Sequence, residues 1–329
     1  MNFSILRRAL AAGDGLHKAG RNDLDGSAPA PAGMTLFRFF PLVLLALLAA
    51  CARQPVYDCQ LTEVARMPLD VRNHLLVVPV GINGQRVSLL VDTGAERTTL
   101  SYAAAQRLGL AHDARYTTQS MGVGGASSAT DVKVDSFVLG GTRFPITRVA
   151  NVPLTLGGGL RADGLLGADI LLAFDLDINL PGHTLTLYRR RICPDPAPPW
   201  PSVEVPGVDI KKDRLLVPIT LDGAEGTAIL DTGAQGSLVG PDLAGRLGLT
   251  LERMSGDPPI TARGVGPGTM HAWLHQFQLL RIGSIGIGQP RVPVLLDNVG
   301  VSDMLIGEDV LQGHRIWLSF RPAEVFISK

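Results

Sequence analysis

The chain has 329 residues, enough for two medium-sized domains that each bury a hydrophobic core. It is 46% hydrophobic and 18% charged and has a formal net charge of zero, which argues against a nucleic-acid or broadly anionic partner. Aromatic residues make up only 5% of the chain, whereas there are 38 glycines and 23 prolines. This composition favours an all-β protein of many short strands and turns.

The first fifty residues are not expected to join the fold. Residues 1–33 are polar and rich in small residues, and they show no apolar period. The segment from Met34 then carries one basic residue, an apolar run of about a dozen residues and the ending Leu48-Ala49-Ala50-Cys51. It resembles a bacterial lipoprotein signal, with Met34 as the start and Cys51 as the lipidated residue. An uncleaved membrane anchor or a chance apolar stretch is the alternative, although the run is short for a spanning helix.

A lipid on Cys51 would hold the body of the protein on a membrane surface without crossing it. Ala52 follows the cysteine where an aspartate would indicate retention in the inner membrane. We therefore expect a protein of the bacterial cell envelope that faces the periplasm, with the outer membrane favoured. Residues 52–69 are predicted to be a tether.

The two other cysteines, Cys59 and Cys193, bracket the first half of the chain. A disulfide between them is plausible in an oxidising periplasm. Two unpaired thiols are the alternative.

An internal repeat dominates the rest of the chain. Residues 90–95 read Leu-Val-Asp-Thr-Gly-Ala, and residues 229–234 read Ile-Leu-Asp-Thr-Gly-Ala. Each motif ends a pair of β-rich runs, residues 74–91 and 214–230, that are interrupted by Asn-Gly or Asp-Gly. Such dipeptides between apolar runs predict β-hairpins that lead directly into the Asp-Thr-Gly turns.

Short helices are predicted after each turn, over residues 101–110 and 240–249. Ser101 is a candidate N-cap for the first, Pro241 stands at an early position of the second, and both segments end in Leu-Gly-Leu.

The repeat then continues in the same order in both halves. Its further parts are glycine-rich tips at 122–125 and 264–268, Leu-Leu-Gly or Leu-Ile-Gly segments within 163–171 and 303–311, and closing strands at 184–188 and 315–320. Proline-rich residues 194–201 separate the halves, and such a segment is expected to be extended.

Each half resembles a retropepsin-like aspartic peptidase lobe, in the clan of pepsin and the retroviral proteases. The Asp-Thr-Gly tripeptide alone is weak, but the full ordered set occurs twice and covers about residues 70–190 and 210–328. The resemblance implies an N-terminal lobe at 70–192, a linker at 193–208 and a C-terminal lobe at 209–329. We expect two homologous β-barrel lobes related by a pseudo-twofold axis, with a cleft between them.

The resemblance also implies roles for individual residues. Asp92 and Asp231 would be catalytic, and their carboxyl groups would share one proton around one water. Thr93, Gly94, Thr232 and Gly233 would support this dyad, with the two threonines exchanging hydrogen bonds across the pseudo-twofold. Packing behind the loops is assigned to Leu166, Gly167, Ile306 and Gly307. Flap candidates are Gly122, Val123, Gly124, Gly264, Val265 and Gly266.

The predicted function is hydrolysis of peptide bonds in extended polypeptides, with no cofactor and no metal. His271 and His275 could mimic a metal pair, but no acidic third ligand stands at a suitable spacing. We expect a monomer whose lobes pair within the chain, and pairing between chains is the alternative. The competing function is a catalytically silent periplasmic lipoprotein of the same fold that binds peptides or assists assembly.

Overall fold

A computed structural model describes residues 60–122, 125–154, 162–191, 197–263, 269–297, 301 and 303–328. All of them belong to one compact unit. Lipidation of Cys51 and the Cys59–Cys193 pairing concern residues outside this described part. Within it, no helix is both long and apolar enough to span a membrane.

The N-terminal lobe consists of short strands and two short helices. Its elements are β1 Gln60–Pro68, β2 Asp70–Arg72, β3 Leu75–Ile82, β4 Gln85–Val91, β5 Thr99–Ser101, α1 Tyr102–Arg107, β6 His112–Gly122, β7 Gly125–Lys133, β8 Phe137–Leu139, β9 Thr142–Phe144, β10 Arg148–Val152, β11 Gly164–Leu166, α2 Ala168–Leu171, β12 Asp175–Asn179 and β13 Thr184–Arg191.

The C-terminal lobe repeats this sequence of elements. Its elements are β14 Ser202–Glu204, β15 Asp209–Lys211, β16 Arg214–Leu221, β17 Ala224–Leu230, β18 Leu238–Val239, α3 Pro241–Arg246, β19 Pro259–Arg263, β20 Thr269–Gln276, β21 Leu279–Ile282, β22 Ile285–Gly288, β23 Arg291–Val294, β24 Met304–Ile306, α4 Glu308–Leu311, β25 Arg315–Phe320 and β26 Ala323–Ser328.

Each lobe is built on one ten-stranded sheet, and the two sheets have the same strand order. In the first sheet the order is β6-β7-β10-β5-β11-β4-β3-β8-β9, with β2 paired to β3. In the second it is β19-β20-β23-β18-β24-β17-β16-β21-β22, with β15 paired to β16. The prediction of two homologous all-β lobes is confirmed.

The predicted hairpins and helix boundaries are also present. Asn83 and Gly84 join β3 to β4 with φ of 49° and 76°, and Asp222 and Gly223 join β16 to β17 with φ of 47° and 85°. Two successive positive φ angles are what a two-residue hairpin turn requires.

The helix that follows each Asp-Thr-Gly turn starts as predicted. The Ser101 side chain accepts a hydrogen bond of 3.1 Å from the backbone N–H of Ala104 and caps α1. Pro241 occupies the first turn of α3, where its missing N–H leaves no hydrogen bond unmade.

A third, six-stranded sheet joins the lobes in the order β1-β13-β12-β25-β26-β14. Strands β12 and β25 pair across the pseudo-twofold, so each lobe contributes three strands. Arg315 pairs with the buried carboxylate of Asp177 at 2.6 Å, and Arg190 pairs with both Asp175 at 2.8 Å and Glu324 at 3.2 Å. Two of these ion pairs therefore cross from one lobe to the other.

The prediction of a tether over residues 52–69 is wrong for residues 60–68, which form β1 and pair along β13. Ala65 and Met67 on this strand are buried in the core. Polar residues such as Glu63 and Arg66 interrupt the apolar alternation, which hides the strand in the sequence. Residues 202–204, inside the predicted linker, likewise form the edge strand β14.

Candidate active site

The two aspartates predicted to be catalytic stand at the ends of equivalent strands. Asp92 follows β4, and its backbone N–H donates to the carbonyl of Leu166 at 3.0 Å; Asp231 follows β17 and donates to Ile306 in the same way at 3.0 Å. The accepting strands β11 and β24 run parallel to β4 and β17. Each Asp-Thr-Gly turn is therefore held by two neighbouring strands of its own lobe.

The glycines of the turns let the two carboxyl groups face each other. A methyl group on Gly94 would lie 2.6 Å from Oδ2 of Asp231, and one on Gly233 would lie 2.6 Å from Oδ2 of Asp92. The two carboxyl groups also interact electrostatically, since the negative charge of Asp231 raises the pKa of Asp92. Only glycine leaves room for the opposing carboxylate at these positions.

The two threonines connect the lobes directly beneath the carboxyl groups. The backbone N–H of Thr93 donates to Oγ1 of Thr232, and that of Thr232 donates to Oγ1 of Thr93, both at 3.1 Å. Oγ1 of Thr93 donates to the carbonyl of Leu230 at 3.0 Å, and Oγ1 of Thr232 donates to that of Val91 at 2.9 Å. This is the exchange that the resemblance implies, and all of it is buried.

Backbone donors fix one oxygen of each aspartate. Oδ1 of Asp92 accepts from the N–H groups of Gly94 at 2.9 Å and Ala95 at 2.8 Å. Oδ1 of Asp231 accepts from Gly233 at 2.8 Å. With these oxygens fixed, each carboxyl group keeps its orientation toward the other lobe.

Burial and mutual repulsion raise the proton affinity of the pair. Burial, followed by the negative charge of Asp231, raises the pKa of Asp92 to about 8, and burial also raises the pKa of Asp231. Two carboxylates this close cannot both ionise cheaply, so they titrate as a unit and retain one proton near neutral pH. The arrangement can therefore supply a general base and a general acid together.

Each turn is supported by a hydroxyl–carboxylate pair that the sequence reasoning missed. In the N-terminal lobe, Oδ1 of Asp169 accepts from the backbone N–H of Thr98 at 2.8 Å and from its hydroxyl at 2.7 Å. The same hydroxyl oxygen accepts from the N–H of Gly167 at 3.1 Å. Because Gly167 follows β11, this network joins the Asp92 loop to helix α2.

The C-terminal lobe has the same network with Ser237 in place of threonine. Its backbone N–H and hydroxyl donate to Oδ1 of Asp309 at 2.8 and 2.7 Å, and Gly307 donates to the hydroxyl oxygen at 3.1 Å. The available signal was the similar spacing of a hydroxyl residue and an aspartate in the two repeats, 71 residues in the first and 72 in the second. The structure thus gives Gly167 and Gly307 a hydrogen-bonding role, while the side chains of Leu166 and Ile306 are fully buried behind the turns.

Two small apolar clusters lie apart from the main core and reach the Asp-Thr-Gly loops. One contains Leu75, Leu90 and Leu165, with Ala95, Leu154 and Ala162 packed against it. The other contains Leu238, Ala272, Leu295, Val301 and Leu305, with Ala234, Ile260 and Met270 packed against it. Ala95 and Ala234 directly follow the Asp-Thr-Gly turns, so these clusters pack beside the two turns.

The flap candidates are described only in part. Strands β6 and β7 pair up to Gly122 and Gly125, so Gly122 ends a long hairpin. Val123, Gly124, Gly264, Val265 and Gly266 lie outside the described residues.

Metal ligands do not cluster in the described ranges, where no group of three or more His, Cys, Asp or Glu side chains could hold an ion. His271 and His275 both lie on strand β20. Nδ1 of His275 is 2.6 Å from Oδ2 of Asp257, which is a contact between two residues only.

The sequence profile of the aspartyl protease family matches residues 78–170 and again residues 217–310. The chain belongs to the aspartyl protease family. Both matches contain an Asp-Thr-Gly turn and the segment that packs behind it, so the family assignment rests on the same residues as the geometry.

Several proteins of known sequence are similar to parts of this chain. DNA damage-inducible protein 1 of Yarrowia lipolytica is 31% identical over 123 residues, which are 37% of this chain and 30% of that protein. DNA damage-inducible protein 1 of Phaeosphaeria nodorum is 28% identical over 172 residues, 52% of this chain and 34% of that protein. UBA domain-containing protein Mud1 of Schizosaccharomyces pombe is 31% identical over 121 residues, 36% of this chain and 35% of that protein. The chain spans about a third of the length of these relatives.

Among solved structures, the fold is similar to that of an aspartic proteinase from Irpex lacteus. The alignment has a TM-score of 0.50 and 12% identity and covers 82% of this chain and 97% of that one. The similarity supports the two-lobed fold.

Proposed function

We propose that this chain is an aspartic endopeptidase that hydrolyses peptide bonds in extended polypeptides. The observation that carries the proposal is the pairing of Asp92 and Asp231 above the hydrogen-bonded Thr93 and Thr232. Two carboxyl groups that share a proton in a buried site are suited to activate water and to protonate a carbonyl in one step.

In the proposed reaction, the ionised carboxylate of the dyad removes a proton from water as the water oxygen attacks the scissile carbonyl carbon. The neutral carboxyl group gives its proton to the carbonyl oxygen, and a tetrahedral diol forms. The proton gained from water then goes to the amide nitrogen, the C–N bond breaks, and the amine leaves. The dyad regains its starting proton from the collapsing diol. Neither role is assigned to one aspartate, because the pair titrates as a unit.

We infer the substrate class from the residues that pack beside the dyad. Apolar clusters flank the dyad on both sides, which favours apolar side chains next to the scissile bond. The β6–β7 hairpin offers backbone groups to an extended chain, which would add to it as a strand does.

For the cellular setting, we propose a lipoprotein that is anchored through Cys51 and faces the periplasm. The support is the Leu-Ala-Ala-Cys sequence at residues 48–51 after its apolar run. The protein acts as a monomer in this proposal, since both aspartates belong to one chain. Light scattering during gel filtration of purified protein tests the monomer, and mass spectrometry of the N-terminal peptide tests the lipid.

The experiment that tests the enzyme is a cleavage assay with a diverse peptide library from pH 3 to pH 9. We expect cleavage that extends to neutral pH and declines above about pH 8, because the raised pKa of Asp92 keeps one proton on the dyad until then. Cleavage confined to strongly acidic pH would contradict the proposed dyad environment. No cleavage by folded protein at any pH would favour the silent peptide-binding lipoprotein.

A further inference from the structure

One position beside the dyad breaks the symmetry between the repeats. Leu75 begins β3 and pairs with Arg72 of β2, while Arg214 begins β16 and pairs with Lys211 of β15. The shared register makes Leu75 and Arg214 equivalent. The N-terminal lobe therefore places an apolar side chain where the C-terminal lobe places a cation.

The N-terminal counterpart shows which way this position faces. Leu75 is buried with Leu90 and Leu165 in the small apolar cluster beside the dyad, and Ala95 packs against that cluster. The next residue, Leu76, instead enters the main core of the lobe. Successive side chains on a strand point to opposite faces, so position 75 belongs to the face with the catalytic loop.

The C-terminal lobe follows the same alternation. Leu215 and Val217 are fully buried in the main core, which directs Arg214 to the opposite face, toward the catalytic loop. This orientation agrees with the electrostatic effect of Arg214, because its positive charge lowers the pKa of Asp231.

Among the described residues, Arg214 has no side-chain partner of its own. Its Nε is buried and makes no hydrogen bond within the described residues, and none of the ion pairs found there includes its guanidinium. Arg246 and Arg315, by comparison, are both paired with aspartates at 2.6 Å. A buried donor without a partner is costly, and a planar guanidinium is well matched to a carboxylate that could bind it in a bidentate manner.

We propose that Arg214 forms a subsite for a carboxylate side chain of the substrate, Asp or Glu, close to the scissile bond on the side of the C-terminal lobe. The equivalent position on the other side, Leu75, is a buried apolar residue and offers no positive charge to the substrate. The cleft is therefore selective for polypeptides that carry an acidic residue on one side of the cleaved bond. This inference rests on the proposed peptidase function.

The test compares peptides that differ only in Glu or Gln at each position flanking the cleaved bond. We expect wild type to prefer Glu over Gln at one position by about 10-fold in kcat/KM, mainly through KM. Arg214→Leu, which copies the N-terminal lobe, should reduce that ratio to about 1, because the loss falls on the Glu peptide beyond any change that both peptides share. Arg214→Lys should retain part of the preference. Two results would overturn the subsite. One is an unchanged ratio of kcat/KM for the Glu and Gln peptides in Arg214→Leu, and the other is an equal loss of kcat/KM for both peptides in both variants.

A binding measurement separates this inference from the proposed function. The same Glu and Gln peptides are made with the scissile amide reduced to an amine, and their Kd values are measured by calorimetry. If wild type cleaves nothing but binds the Glu form about 10-fold more tightly, and Arg214→Leu loses that difference, the subsite stands and the peptidase fails. Cleavage or binding without a preference for Glu refutes the subsite alone, and failure to bind either peptide counts against both.

Discussion

At the scale of single residues, the threonine hydroxyls connect the two Asp-Thr-Gly loops by hydrogen bonds. Thr232→Val would leave the backbone N–H of Thr93 without its acceptor and the carbonyl of Val91 without its donor. Both groups are buried, so we expect the free energy of unfolding to fall by about 3 kcal/mol. Thr232→Ser keeps the hydroxyl and should lose only about 1 kcal/mol. Urea unfolding checks this, and equal stabilities of the two variants would contradict it.

Glu308 gives a second residue-scale prediction. This side chain is buried beside the Asp231 loop, where the N-terminal lobe has Ala168, and its Oε2 has no hydrogen-bond partner among the described residues. Burial, followed by the charge of Asp309, raises the pKa of Glu308 to about 8 from its ordinary 4.5. The folded state therefore holds a proton that the unfolded chain has lost over this range of pH.

The stabilisation that the protonated Glu308 side chain gives the folded state is therefore fully present below pH 4.5. It is lost as pH rises through about 8. Between pH 5 and pH 8, Glu308→Gln should gain stability relative to wild type on the order of a few kcal/mol, because glutamine stays neutral. The exposed Glu252→Gln is the control and should show no such trend. The free energy of unfolding is measured by urea unfolding as a function of pH for wild type and Glu308→Gln. The same pH dependence in both proteins would refute the raised pKa of Glu308.

The sequence was sufficient to predict the residues that repeat. Asp92 and Asp231 could be assigned because each occurs in the same ordered set of motifs. Arg214 and Glu308 could not, because they differ from Leu75 and Ala168 and thus lie outside the repeated pattern. The surroundings of these two side chains depend on strand register and burial, which cannot be read from the amino-acid sequence alone.

At the scale of elements, the tight approach of the two Asp-Thr-Gly turns makes their glycines sensitive. Gly233→Ala would place a methyl group 2.6 Å from Oδ2 of Asp92 and displace that carboxyl group. A shift of this size should lower kcat/KM by about 10²-fold or more.

Gly245→Ala in helix α3 is the matched control, since a methyl group there meets no atom within 4 Å. It should leave cleavage unchanged and stabilise the helix by about 0.5–1 kcal/mol. An active Gly233→Ala variant would mean that the turns are farther apart than the structure shows.

Strand and helix prediction succeeded where local chemistry is explicit. Asn83-Gly84 and Asp222-Gly223 specify hairpin turns, and Ser101 specifies a helix start, without reference to distant residues. Strand β1 was missed because its pairing with β13 joins segments far apart in the chain. The Thr98–Asp169 support was missed for the same reason, since each partner is an ordinary polar residue by itself.

At the scale of the whole molecule, neither lobe is complete alone. Strands β12 and β25 pair across the pseudo-twofold, and the Arg315–Asp177 ion pair crosses beside them. Gln235 of the C-terminal lobe also donates to the carbonyl of Asn73 in the N-terminal lobe at 3.0 Å. These contacts hold the two carboxyl groups against each other, in line with the proposal of a monomer whose dyad belongs to a single chain.

The most direct measurement is peptide cleavage by wild type, by Asp92→Asn, by Asp231→Asn and by an equimolar mixture of the two variants. We expect each variant to lose roughly 10²–10⁴-fold or more in kcat/KM while remaining folded by circular dichroism. The mixture should be as inactive as its parts, because each chain forms its own site. Recovery of activity on mixing would show that lobes pair between chains, and wild-type rates in either variant would contradict the shared dyad.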